Sequence, residues 1–191
     1  MALLAVLLLI SALQSSGAVH WPKDAVIQVW VDSRDAPAGA DRLVERAMKT
    51  WTNAAGGRFT LRTTTSSGHG AVRVRFVKSD STYGETAPRV DRRAGLIVGA
   101  DVLINADVPD DLITQRIVVY LTALHELGHA LGLPHTDAFG DIMYAFRRPD
   151  DGARYFGAYR RRLRSVDDIG SAQATGLSAA DVTALHALYG R

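Results

Sequence analysis

Three of the six histidines in this 191-residue chain crowd into eleven positions, HELGHALGLPH at 125–135. On a helix, His125 and His129 are i and i+4. They share one face, with Cβ atoms about 6 Å apart, and can share one ion. Glu126 follows His125 and sits beside that face, within reach of a water on such an ion. Gly132 lets the chain leave the helix with a positive φ. Pro134 prevents helical continuation. The chain can then turn back and offer His135 from outside the helix as a third nitrogen.

Composition narrows the chemistry. The chain has no cysteine, so disulfides, thiolate ligands and a cysteine nucleophile are excluded. Any metal site uses His, Asp or Glu. Three neutral nitrogens suit zinc and leave a fourth position for water. The pKa of that water falls to about 7 on the metal. Glu126 would take its proton and pass it to a leaving amine. The set describes hydrolysis of an amide bond. Glu45, Glu85 and Glu126 are the whole glutamate supply, against 17 Asp, so a Glu in this place stands out. Two plainer readings compete, a helix with incidental histidines and a structural zinc. The second is weaker, because structural sites usually fill all four positions with protein ligands.

Residues 2–13, ALLAVLLLISAL, are apolar but for Ser11. A bilayer needs about 20 residues, so the run is too short to span one. It fits an export signal over residues 1–18, cut after Ser16-Gly17-Ala18, with one mature domain at 19–191. No Lys or Arg precedes it, and a buried N-terminal helix or an uncleaved anchor is the alternative. The expected destination is extracellular, with the periplasm as the other candidate, and without stable membrane association once the signal is removed. A monomer is expected.

Net charge is +2. Residues 147–164 hold seven Arg and two Asp, a local +5, which leaves −3 for the rest. A globally basic surface for nucleic acid is not indicated.

Along the chain, 25–32 (AVIQVWVD) reads as a strand. Residues 40–52 are an amphipathic helix with Leu43, Val44, Ala47, Met48 and Trp51 on its apolar stripe. Residues 58–63 and 71–77 alternate as strands. Residues 79–94 are polar and irregular. Residues 95–105 form a strand, or a hairpin kinked at Gly99. A long helix starts near Asp110 or Asp111 and runs to about Leu131, apolar almost all round and so central. The last helix, LSAADVTALHALYG, carries Ser178 and Asp181 as a capping signature. The order suggests an α+β domain with a mostly continuous sheet.

The pattern HExxHxxGxxH with a later Met resembles the metzincins. The Met stands in DIMY at 141–144, eight residues past His135. Within that group the chain is similar to the matrixins, through Gly128, Leu131-Gly132-Leu133, the closing Leu188-Tyr189-Gly190, WPK at 21–23 and the helix ending in Trp51. The likeness covers most of 20–190 and is loose from 53 to 110. It implies a zincin-like fold, with a twisted, mostly parallel sheet, a central zinc-binding helix, a Met-turn and a C-terminal helix. It implies a secreted zinc metalloendopeptidase acting on protein or peptide substrates. His125, His129 and His135 match the zinc ligands, Glu126 the base, and Met143 the Met-turn. Asp181 matches an acidic position that hydrogen-bonds beneath the Met-turn; a first-turn charge on the helix dipole is its other reading. A zinc-dependent peptide-binding module and a zinc amidase on a non-protein amide are the alternatives.

The chain also departs from the family. Thr136-Asp137 follows the third His where Ser is common, and Ala145 stands where Pro usually follows the Met-Tyr pair. Only His69 lies between the sheet strands, so no second zinc is expected. Calcium held by Asp101, Asp107, Asp110 or Asp111 is a weaker possibility, since solvated loop Asp residues are the commoner case. There is no counterpart of the family's inhibitory propeptide cysteine, so activity is expected on folding and zinc binding. The 34 residues from Tyr144 to Leu177 read as a solvated, partly mobile loop. Alternatively, their arginines, Arg160–Arg162 among them, and aromatics form a basic rim favouring acidic substrates. His20, His69 and His186 read as ordinary surface or loop residues.

Overall fold

The computed structural model describes residues 18–79, 82–106 and 111–190. The export segment at 1–17, and Asp107 and Asp110 among the calcium candidates, lie outside the described residues. The elements in chain order are β1 (Ala25–Asp32), α1 (Ala40–Ala55), β2 (Phe59–Thr64), β3 (Val72–Val77), β4 (Gly84–Asp91), β5 (Leu96–Asn105), α2 (Leu112–Ala130), α3 (Asp151–Arg160) and α4 (Ala179–Tyr189). The fold is α+β.

One five-stranded sheet has the order β2-β1-β3-β5-β4. β1, β2, β3 and β5 are parallel, and β4 runs antiparallel to β5 at the edge. Alternation gives the sheet one apolar face. Ile27 and Val29 of β1, Val72, Val74 and Phe76 of β3, and Ala100, Val102 and Ile104 of β5 are all buried. α1 lies along β2, and α2 lies along β5 and β4. α2 is buried on every side, from Ile117 to Leu124 without a break. That is the burial pattern of a helix at the centre of a core.

Two segments differ from the sequence reading. The polar stretch at 79–94 holds β4, a full strand. Its sequence, GETAPRVD, is mostly exposed, so no apolar alternation marks it. Backbone pairing to β5 holds it, and an edge strand tolerates Pro88. β5 is one continuous strand rather than a hairpin. Beside Gly99 the β4 register shifts between Arg89 and Val90. The Arg89 guanidinium lies over Gly99, in the space that a Cβ there would take.

The second difference is the segment after Tyr144. It is not a solvated loop throughout, because α3 docks onto the body of the protein. Phe156 and Tyr159 of α3, and Ile169 and Ala174 beyond it, are buried. The Tyr159 hydroxyl donates to Ala174 O at 2.5 Å and accepts from Gly170 N at 3.0 Å. Tyr120 of α2 donates to Thr175 O at 2.6 Å. Two buried phenols thus tie 170–175 to the helices.

Replacing Tyr159 with Phe leaves a buried carbonyl and a half-buried N–H unpaired. The expected cost is about 1–3 kcal/mol, read as a lower midpoint in urea unfolding with an unchanged slope. An unchanged midpoint would mean that 170–175 is not anchored this way.

Candidate functional site

α2 is fixed at both ends. Asp111 caps its start, accepting from Ile113 N at 3.0 Å and Thr114 N at 3.2 Å. The end is closed by four separate donors. Trp21 Nε1 donates to Ala130 O at 2.8 Å, and the Tyr189 hydroxyl donates to Leu131 O at 2.8 Å. Gly132 N donates to His129 O and Leu133 N to Gly128 O, at 2.9 and 3.0 Å. The terminal carbonyls of a buried helix need such partners. Gly132 has φ +98, and a Cβ there would collide with the Val19 carbonyl. Glycine is therefore required twice over, for the turn and for the close approach. The chain reverses through Pro134 and brings His135 back over α2.

The reversal brings three imidazoles to one point. His125 Nε2 and His129 Nε2 are 3.1 Å apart. His135 Nε2 lies 3.2 Å from the first and 3.0 Å from the second. Three nitrogens on a tetrahedral zinc, at their usual bond length, would stand about 3.3 Å apart. The other ring nitrogens of His125 and His129 are engaged. His125 Nδ1 donates to Ile142 O at 2.6 Å, and His129 Nδ1 to Leu133 O at 2.9 Å. These bonds set the tautomer and leave both Nε2 lone pairs aimed at the common point. Burial pushes His125 down to about 4. Burial, and then the two neighbouring imidazoles, push His129 down to about 3. Burial also lowers His135. All three are neutral near pH 7, the state in which imidazole binds a metal. Among the described residues, no other group of three His, Asp or Glu side chains is placed to hold one ion.

Glu126 is buried beside this cluster. Its Oε2 accepts from Thr86 Oγ1 at 2.7 Å, and the same hydroxyl reaches Glu126 O at 3.0 Å. Burial pushes its carboxyl up to about 7, against the Thr86 bond, which pulls it down. A Cβ on Gly84 would stand 2.7 Å from Glu126 Oε1 and from its Cγ. Gly84 and Thr86, two residues apart on one face of β4, thus make the cradle for this carboxyl. Sequence reasoning missed both, because the strand that carries them was invisible; a Gly-x-Thr pair on one strand face was the only signal.

Met143 and Asp181 lie beneath. Met143 is buried against Gly128, where a Cβ would strike its Sδ and come within 3.2 Å of Trp51 Cζ2. Thr136 N donates to Met143 O at 2.9 Å. Asp181 Oδ2 accepts from Ile142 N at 2.9 Å and from Ser178 N at 2.8 Å. It serves both as the α4 cap and as a brace under the turn. A continuous path runs from Asp181 to Ile142 N, and from Ile142 O to His125 Nδ1.

The three histidines and Glu126 open onto a cleft of about 590 Å³. β4 forms one wall. Tyr83, Phe146, Tyr155 and Phe156 form an aromatic wall, with ring centroids 5.0 to 6.1 Å apart. The remaining candidates lie elsewhere. Asp101 pairs with Arg89, and Asp111 pairs with Arg160 at 2.6 Å while capping α2. His20 and His186 bond to the backbone oxygens of Trp21 and Ala54. His69 is exposed.

Comparison with known proteins agrees with this geometry. A family model for matrixins matches residues 21–156. The interstitial collagenase of Oryctolagus cuniculus is 30% identical over 115 residues, which is 56% of this chain and 24% of that protein. That of Equus caballus is 28% identical over 146 residues, 72% of this chain and 28% of that protein. The chain thus spans about a quarter of the length of the curated relatives it matches. It belongs to the matrixin family.

The Gly128 contact makes a sharp prediction. In an ordinary helix, Ala in place of Gly gains about 1 kcal/mol. Here the added methyl meets Met143 and Trp51 in a filled core, and such overpacking costs about 1–3 kcal/mol. Gly128→Ala is expected to lower the thermal midpoint. A raised midpoint would show that Met143 does not press on α2.

Proposed function

We propose that this chain is an exported zinc metalloendopeptidase in which His125, His129 and His135 hold the metal and Glu126 is the general base. The observation that carries the reading is the convergence of three neutral Nε2 atoms at 3.0 to 3.2 Å beside a buried carboxyl. Three lone pairs facing one another repel, and a cation at their centre turns that repulsion into ligation. The donor set is all imidazole nitrogen, which suits zinc and leaves a position open.

Zinc in that place supplies a Lewis acid for a carbonyl oxygen and a water acidified to a pKa of about 7. The protein residues supply the proton path and the alignment. Thr86 holds Glu126 Oε2. Oε1, beside Gly84, takes the proton and delivers it to the leaving amine nitrogen. The Ile142 and Leu133 carbonyls keep His125 and His129 from rotating. Met143 is an apolar floor that positions α2 without ligating, and Asp181 braces the turn that carries Met143.

β4 supports a peptide as the substrate. Among the described residues it pairs on one side only, with β5, so its outer edge offers backbone groups to an extended chain. Glu126 is bonded to this same strand, so a peptide laid along β4 passes the reacting groups. The aromatic part of the cleft then receives a substrate side chain. Export is supported by the apolar run at 2–13. No helix among the described residues is long and apolar enough to cross a membrane.

Purified protein should contain about one zinc per chain and cleave an unfolded protein substrate. Chelation should abolish cleavage, and added zinc should restore it. Glu126→Ala should keep its zinc and lose activity by a factor of about 10² to 10⁴. Zinc-loaded wild type that cleaves no peptide bond would replace this reading with a binding module, and a variant as active as wild type would remove Glu126 as the base.

A further inference from the structure

Seven arginines follow the site, and the structure sorts them by what they touch. Arg147 is paired with Asp137. Arg154 lies 3.6 Å from the buried carboxylate of Asp151 and over the Phe139 ring at 4.9 Å. Arg160 bonds to Asp111 and to Thr114, so it is not free to serve the basic rim that the sequence suggested around Arg160–Arg162. Arg161, Arg162 and Arg164 do not line the cleft. Arg148 alone of the seven lines it, together with the histidines and Glu126. Among the described residues, no carboxylate pairs with its guanidinium.

The Arg148 backbone is held in place. Its N–H donates to Asp151 Oδ2 at 3.1 Å, beside the Arg147 N–H at 2.9 Å and the Tyr144 hydroxyl at 2.9 Å. Asp151 is 1% exposed. Its carboxyl is held below the usual range, chiefly by the Arg147 N–H, so it stays charged and keeps the anchor near neutrality. Glu85 also lines the cleft, but among the described residues it makes no ion pair with Arg148. Arg148 is exposed, so its guanidinium can reach a carboxylate that enters the cleft.

We propose that Arg148 makes this a peptidase for acidic sequences. It would bind a Glu or Asp side chain of the substrate on the side of the scissile bond that faces the 144–152 segment. The inference rests on the peptidase reading above and names the substrate class of that same site. Arg148 is a specificity residue and takes no part in moving the proton.

The test uses the zinc-loaded full-length protein and peptide pairs that differ only by Glu or Gln at each position flanking the cut. Both kcat/KM and the binding of each peptide to the Glu126→Ala variant are measured. Wild type should prefer the Glu peptide about tenfold at one position on one side of the cut, the size of a charge-assisted contact. High salt should shrink the preference. Arg148→Gln should bring the ratio to about one, Arg148→Lys should keep part of it, and Arg148→Glu should invert it. Cleavage without discrimination between Glu and Gln, or a preference that survives Arg148→Gln, overturns the proposal and leaves the peptidase reading standing. Absence of cleavage with preserved, Arg148-dependent preference in binding does the reverse. Absence of both cleavage and preference removes both.

Discussion

The site depends on where α2 stops. A helix that ran one turn further would carry His135 away from the other two imidazoles. A helix that ended one turn sooner would release His129. The stopping point is fixed by partners for the last carbonyls, two from distant parts of the chain and two from the turn itself. The Trp21 indole and the Tyr189 hydroxyl take Ala130 O and Leu131 O. Gly132 and Leu133 take His129 O and Gly128 O. Each unpaired buried carbonyl would cost about 1–3 kcal/mol. The WPK and LYG stretches, at opposite ends of the domain, share this one task.

A second constraint works from below. Gly128 removes the one side chain that would hold Met143 off α2, and Trp51 closes the same gap while its indole donates to Leu124 O at 2.8 Å. The glycine weakens α2 as an isolated helix and strengthens its packing. Asp181 joins that floor to α4, and the Ile142 peptide then carries the alignment up to His125. The imidazoles are thus oriented through backbone groups, which cannot swing as side chains can.

Much of this was legible in sequence where burial and periodicity coincide. β1 and β3 alternate cleanly because one face is core and the other is not. α2 is apolar all round because it is central, and Ser178 with Asp181 announces the start of α4. The signal fails where an element is held by something other than its own apolar face. β4 is held by backbone pairing, so its polar residues gave no period, and Gly84 and Thr86 were lost with it. α3 has only Phe156 and Tyr159 as buried apolar residues, with Tyr155 half-buried, set among glycines and arginines that resemble a loop. Within that segment the local charge of +5 was plain, but pairing decides which arginine is available. Those pairs join residues up to 49 positions apart.

The capping of α2 by Trp21 and Tyr189 also bears on timing. A chain emerges from the ribosome N-terminus first, and its domains tend to fold as units. The histidine motif is complete once residue 135 has been made, but the last acceptor at the end of α2 finds its donor only with residue 189. A nascent chain that ends before residue 189 therefore holds all three clustered histidines and still lacks one of the contacts that fix the end of α2. The geometry of the cluster is tied in this way to a residue made more than fifty positions after the motif, so the motif's synthesis and its shaping are separated in time.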